Sequence, residues 1–146
     1  MTNARTIVRL ADIADAPALA QLSTQLGYAA DSETIKQRLI GLQQDPAHTV
    51  FVAEADGAVV GWLHVFLHQL LESGLMAEVG GLVVDEQARG TGVGRLLMAR
   101  AEQWARDHGC AAVTLRTNVI RKDAHAFYEK LGYANIKTQH TYRKRL

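Results

Sequence analysis

The sequence predicts an α/β (α+β) domain: one sheet of six to seven strands with about four helices. Three observations carry that expectation. His48–Ala55 and Ala58–His68 read as strands across an Asp56-Gly57 turn, the second with a wholly apolar face of alternate residues. Other segments, Gly92 to about His108 above all, place apolar residues at i, i+3 and i+4. Between the two kinds stands a buried-strand pattern, Val79–Asp85, that runs through a polar turn into a glycine-rich helix entry.

Taken in order, Thr6–Leu10 is a short first strand. Asp12 is placed to cap the helix that follows, with Asp15 in its first turn, Ile13, Ala16, Leu19, Ala20 and Leu22 near one face, and Gly27 at its end. Asp31 or Ser32 opens a second helix carrying Ile35, Leu39, Ile40 and Leu42, which Asp45-Pro46 stops. His48–Ala55 and Ala58–His68 form a hairpin across Asp56-Gly57. In the second of these strands Val59, Gly61, Leu63, Val65 and Leu67 share one face, while Val60, Trp62, His64, Phe66 and His68 share the other. The central strand is Met76–Asp85, and the helix after it puts Val93, Leu96, Leu97, Ala101, Trp104 and Ala105 inward until Gly109. Ala111–Thr117 is a near-continuous apolar strand suited to a sheet interior. Lys122–Leu131 is a short helix closed by Gly132, and residues 133–145 supply one or two last strands.

A chain of 146 residues is expected to be one domain, 1–146, that buries roughly 68–70% of its unfolded surface. No apolar run approaches the ~20 residues of a membrane span, and the first residues lack a signal-peptide pattern, so a cytoplasmic location and no membrane partner are expected. The single cysteine, Cys110, excludes an internal disulfide and leaves no thiolate cluster, so no metal is expected. The net charge of +1 conceals an asymmetry: residues 1–73 hold four Lys/Arg against eight Asp/Glu, and residues 74–146 hold twelve against seven. The basic half suits a polyanion and the acidic half a cationic partner, although chance clustering on a solvated surface explains the acidic half equally well. No aromatic-interleaved basic patch is present, and no nucleic-acid partner is expected.

Arg89-Gly90-Thr91-Gly92-Val93-Gly94-Arg95 is the stretch that carries chemistry. Alternate glycines let backbone N–H groups crowd at a helix start, where first-turn donors have no intrahelical partner and the helix end is partly positive. Such a turn either binds a phosphate group or is only a tight connection. It is not a P-loop, since no Gly-Lys pair occurs, and a dinucleotide fingerprint would need glycine at Arg95.

The Arg/Gln-x-x-Gly-x-Gly pattern preceded by Leu-x-Val resembles the acetyl-CoA pyrophosphate loop of the GCN5-related N-acetyltransferases (the GNAT superfamily). A second stretch supports the likeness: Leu115-Arg116-Thr117-Asn118, followed by Ala124-His125-Ala126-Phe127-Tyr128-Glu129-Lys130-Leu131-Gly132-Tyr133, is similar to the C-terminal signature of that family. The resemblance covers the whole chain. It implies a GNAT fold with a mixed sheet whose fourth and fifth strands splay apart. It implies acetyl-CoA as co-substrate, with Arg89, Gly90, Thr91, Gly92, Val93, Gly94 and Arg95 at its pyrophosphate. Backbone groups of Leu82, Val83 and Val84 would meet the pantetheine and thioester, and Asn118 the pantetheine. Tyr128 matches the family tyrosine that protonates the departing thiolate.

The expected reaction is acetyl transfer to a primary amine of a small molecule or peptide. About one amine in a thousand is neutral at pH 7, a cost of roughly 4–5 kcal/mol that a general base would relieve. Glu78, at the start of the central strand and expected to share a face with Gly80, Leu82 and Val84, is either that base or a solvated strand-end carboxylate. His64 and His68 are placed to line an acceptor pocket, but i and i+4 on a strand are about 13 Å apart, too far for a metal pair. Tyr28 lies where the family builds its acceptor site, and packing explains it equally. The rival function is a CoA-binding sensor with the same fold and little catalysis. The identity of the amine and the formation of a homodimer stay open.

Overall fold

Residues 5–117 and 119–146 are described by the structure, a computed structural model. The chain divides into two compact units, one ending at Leu115 and one running Arg116–Leu146.

In the first unit, β1 (Thr6–Leu10) leads into a reciprocal cap. The Asp12 carboxylate accepts from the Ala14 amide, and the Asp15 carboxylate accepts from the Asp12 amide at 2.7 Å. Helix α1 (Ala16–Gln25) follows, with Pro17 tolerated in its first turn because the missing N–H had no partner to lose. Asp31 then caps α2 (Ser32–Gln43) by accepting from the Thr34 amide at 2.7 Å. Strands β2 (His48–Ala55) and β3 (Ala58–Leu70) are joined by Asp56 and Gly57 at φ 51° and 81°. That left-handed pair matches the twist of the strands it connects. Next come β4 (Gly74–Val84), α3 (Val93–Asp107) and β5 (Val113–Leu115). The sheet order is β1-β2-β3-β4-β5, antiparallel except for the parallel β4–β5 pair, which makes it mixed as expected.

Both sheet faces are covered. Phe51, Leu63 and Val65 are fully buried on the face that meets α3, whose Leu97 and Met98 are equally buried. Gly61 sets the closeness of that packing: a Cβ there would lie 3.1 Å from Leu97 and 3.3 Å from Val93. Each fully buried side chain of this kind contributes about 1.5–3 kcal/mol. The opposite face meets α1 and α2 through a cluster of Ala11, Leu19, Leu39 and Val52, with Ile35, Val50, Val59 and Trp62 against it. Arg9 ties the sheet edge to the start of α1. Its guanidinium grips Asp15 with two bonds of 2.8 and 2.9 Å and reaches Glu54 at 3.2 Å, which holds the Asp15 carboxyl below the usual range.

Two bulges overturn the side-chain alternation read from the sequence. Between Ala53 and Glu54 the register skips Val60, so Val59 packs with Trp62 rather than sharing the face of Gly61. In β4 the extra residue is Gly80, with Gly81 opposite His64 and Val79 opposite Val65. Beyond it every side chain changes face. Glu78 therefore shares its face with Gly80, Gly81 and Val83, and Leu82 and Val84 lie on the other side.

The strand count is five rather than six to seven. Residues 133–146 form no strand, and Ile136 and Tyr142 stand 77% and 91% exposed in a run that is otherwise polar and basic. Ile136, Thr138, His140 and Tyr142 do alternate with Lys137, Gln139, Thr141 and Arg143, but no strand pairs with them among the described residues. The expected Ala111–Thr117 strand shortens to Val113–Leu115. The second unit consists of α4 (Lys122–Lys130), its flanking turns and this C-terminal segment.

The glycine pair of the β4 bulge is a packing requirement. A Cβ at Gly81 would sit 2.8 Å from both Cη2 and Cζ3 of Trp62, whose ring is held by the core cluster. Gly81→Ala is expected to cost about 1–3 kcal/mol in urea unfolding, as overpacking does. In a Trp62→Phe background, where those two ring atoms are gone, the same substitution should cost less than half as much.

Candidate active site

The glycine-rich turn is built in two steps. After β4 the Asp85 carboxylate accepts from the Gln87 amide and holds a single helical turn, Glu86–Ala88, while Gln25 at the end of α1 accepts from the Glu86 amide at 3.1 Å. The Thr91 hydroxyl donates to the Ala88 carbonyl, so the threonine side chain is committed to shaping the turn. Gly90 and Gly92 then take φ 80° and 91°, values that side-chain-bearing residues rarely adopt. Gly92 is the N-cap of α3, and no side chain among the described residues caps it. The first-turn amides at Val93, Gly94 and Arg95 thus open outward at the positive end of a 15-residue helix, with exposed Arg89 and Arg95 on either side.

β5 ends well before β4 does. Their parallel pairing covers Ala77↔Val113, Glu78↔Thr114 and Val79↔Leu115 and stops there, while β4 continues to Val84 paired with β3 alone. Leu82, Val83 and Val84 thus have no pairing partner in β5.

Glu78 is 14% exposed, and its Oε1 lies 3.5 Å from Nε2 of His68. The contact follows from register: Glu78 opposes Phe66, and His68 is two residues along β3 on the same face. Phe66 divides this pair from a second one, His48 Nδ1 and His64 Nε2 at 2.9 Å. The four rings make a continuous floor, with centroids 5.2 Å apart for His48–Phe66, 5.5 Å for His64–Phe66 and 6.0 Å for Phe66–His68. Burial, then the neighbouring His48, lowers His64 to about 4, so it is neutral at pH 7. Alternation in β3 made His64, Phe66 and His68 legible as one face. The partnership with His48 and Glu78 needed the pairing of three strands, which no local pattern carries.

In the second unit, Tyr128 packs edge-on against Phe127 at 5.2 Å and Tyr133 at 6.1 Å. Gly132, at φ 98°, turns the chain so that the Tyr133 amide donates to the Tyr128 carbonyl at 3.0 Å, which explains Gly132-Tyr133 as the closing pair of the helix. Burial pushes the Tyr128 phenol above its ordinary value, and the charge of Arg121 opposes that shift. Asn118 lies outside the described residues. Tyr28 is 72% exposed on the loop between α1 and α2, and Cys110 is buried, its thiol pushed up by that burial.

The model of the acetyltransferase (GNAT) family matches residues 16–133. An aminoglycoside N(6')-acetyltransferase type 1 of Stenotrophomonas maltophilia is 36% identical over 131 residues, covering 86% of this chain and 84% of that one. The aminoalkylphosphonate N-acetyltransferase of Salmonella typhimurium is 36% identical over 114 residues, 77% of this chain and 71% of its own. Among solved structures, the aminoglycoside N-acetyltransferase AAC(6')-Iy in complex with CoA superposes with a TM-score of 0.88 over 98% of this chain and 97% of that one; at 20% identity it shows the shared fold.

The depressed His64 fixes the sign of one pH effect. Its folded value of about 4 lies below the ordinary 6.5, so the unfolded chain binds the extra proton and stability falls as pH drops through that window. Allowing for solvent screening, the loss is on the order of 1–2 kcal/mol. Urea midpoints between pH 7 and pH 4 should show it, and His64→Gln should flatten the slope.

Proposed function

Since the chain belongs to the acetyltransferase (GNAT) family, we propose that it transfers the acetyl group of acetyl-CoA to a primary amine of a small molecule by direct attack on the thioester. The observation that carries this reading is the turn before α3: left-handed Gly90 and Gly92, an α3 start that no described side chain caps, and two flanking arginines. That donor set fits a diphosphate. Arg89, Gly90, Thr91, Gly92, Val93, Gly94 and Arg95 would hold it, Thr91 through its amide because its hydroxyl is already bonded. The open edge of Leu82, Val83 and Val84 fits the amide groups of a pantetheine arm, and Asn118 is assigned to the same arm. Relatives named for aminoglycosides and aminoalkylphosphonates support a small-molecule amine as acceptor.

The chain's own groups then divide the proton transfers. Glu78 takes the proton of the incoming ammonium, directly or through a water, and so relieves the roughly 4–5 kcal/mol cost of a neutral amine. The freed nitrogen forms a bond to the carbonyl carbon, the carbon–sulfur bond breaks, and a backbone donor near Leu82 meets the developing oxyanion. Tyr128 gives its proton to the departing thiolate. Burial keeps the phenol fully protonated before the step, the form an acid needs. It also makes the transfer to a thiolate of pKa about 8.5 uphill by about 2 kcal/mol or more, which the charge of Arg121 reduces.

Calorimetry with CoA, followed by thiol-release assays across a panel of amines, tests the reading. Binding with turnover supports it, and tight binding with no turnover would point to a sensor instead. Tyr128→Phe should lower kcat at least tenfold with acetyl-CoA affinity nearly intact, and an unchanged kcat removes Tyr128 from the mechanism. Glu78→Gln should cost most at neutral pH and progressively less toward pH 10, where the amine ionises unaided; a deficit constant with pH would leave Glu78 without a base role.

A further inference from the structure

We propose that the acceptor is an amine with a single ammonium group and an apolar or aromatic arm, the arm lying over Trp62, His64 and Phe66 and ending in a cavity between α2 and the sheet. The inference rests on the acetyl-transfer reading and on Glu78 as the group that meets the ammonium.

The floor begins beside Glu78, whose cross-strand partner is Phe66. Gly80 supplies no side chain above it, since a Cβ there would come within 3.1 Å of His64 Nδ1 and 3.2 Å of Phe66 Cε1. Trp62, His64 and Phe66 are each half-buried, so their ring faces are not sealed into the core as Leu63 and Val65 are. One strand step of two residues, about 7 Å, separates Phe66 from His64. Beyond His64 the cavity opens, with a volume of about 120 Å³, walled by Ile35, Leu39, Leu42, Val50, Trp62 and His64. An apolar cavity of roughly 150 Å³ encloses benzene, so this smaller, open one suits the end of an alkyl chain or part of a phenyl ring.

Charge selects against the alternative. Two carboxylates border this floor: Glu78 beside His68, which balances one ammonium at the reacting end, and Asp45, 3.7 Å from His48 and largely in solvent. The neutral His64 adds no repulsion at pH 7. The cavity wall includes no carboxylate, and the fixed charge on it is Arg38, which repels a second ammonium. An amino sugar with four ammonium groups would bring at least two more positive charges than Glu78 and Asp45 together balance. Selectivity then arises as much from that repulsion as from apolar contact.

Thiol-release kinetics with phenethylamine, hexylamine, spermidine and kanamycin test the proposal. Phenethylamine and hexylamine should exceed the two polycations in kcat/KM at least tenfold, and a preference for kanamycin or spermidine overturns it. Leu42→Trp, which fills the cavity, should lower kcat/KM for hexylamine at least fivefold while that for ethylamine stays within twofold; equal losses overturn it. Binding is read separately through the indole N–H of Trp62, a buried group with no partner among the described residues. Its NMR resonance, assigned through Trp62→Phe, should move when hexylamine is added to the protein alone. An unmoved resonance at saturating hexylamine sinks the proposal even if acetyl transfer is sound, whereas a shift without turnover of any amine leaves the cavity standing and defeats the acetyl-transfer reading.

Discussion

The single extra residue in β4 is the constraint on which the rest of the first unit turns. Without it Glu78 would share its face with Leu82 and Val84, and the carboxylate would follow the side chains that cover α3. With it, the strand presents Glu78 to the ring floor of β3, and past the bulge Gly81 and Val83 keep that face while Leu82 and Val84 turn to the other. The two glycines are what make the reversal affordable: neither position has room for a Cβ beside Trp62, His64 and Phe66. A bulge next to chemistry is a common way to re-aim one side chain without disturbing a sheet.

Main chain and side chain do different work on the two sides of that point. From Leu82 to Arg95 the proposed cofactor contacts are amides, carbonyls and a helix end, joined by the two arginines Arg89 and Arg95. Side chains there, such as Thr91 and Asp85, are spent on holding the turn. Around Glu78 the reverse holds: Phe66, His64 and His68 present rings and ring nitrogens, and Gly80 contributes only its lack of a side chain. Such a division lets one part depend on backbone conformation and the other on the choice of side chains.

Much of this was legible in the residues. The Asp12 cap, the Asp56-Gly57 hairpin, β2 to the residue and the start of α3 follow from local rules, because caps, left-handed turns and helical spacing are decided within a few positions. The glycine turn and the Tyr128 segment were legible as motifs. What was not legible came from pairing. Nothing in Val79-Gly80-Gly81-Leu82 says which glycine is extra until His64 is seen to oppose Gly81. Likewise His48 reads as an unremarkable first residue of a strand until the register brings it to His64. The missing last strands are also a matter of pairing: Ile136, Thr138, His140 and Tyr142 alternate with polar residues as a strand would, but no strand among the described residues pairs with them.

Burial acts on the two titratable groups of opposite kind in opposite directions, and the outcome is the same. The phenol of Tyr128 moves up and the imidazole of His64 moves down, each toward the neutral form at pH 7. The protein thereby spends its half-buried surface on groups that neither repel an ammonium nor compete with a diphosphate for the arginines. In the proposed reading Glu78 meets the ammonium of the acceptor, and Arg89 and Arg95 at the helix start meet the diphosphate. An arrangement meant only for packing would have no reason to keep a carboxylate 14% exposed beside an imidazole on the one face where the sheet carries rings instead of aliphatic side chains.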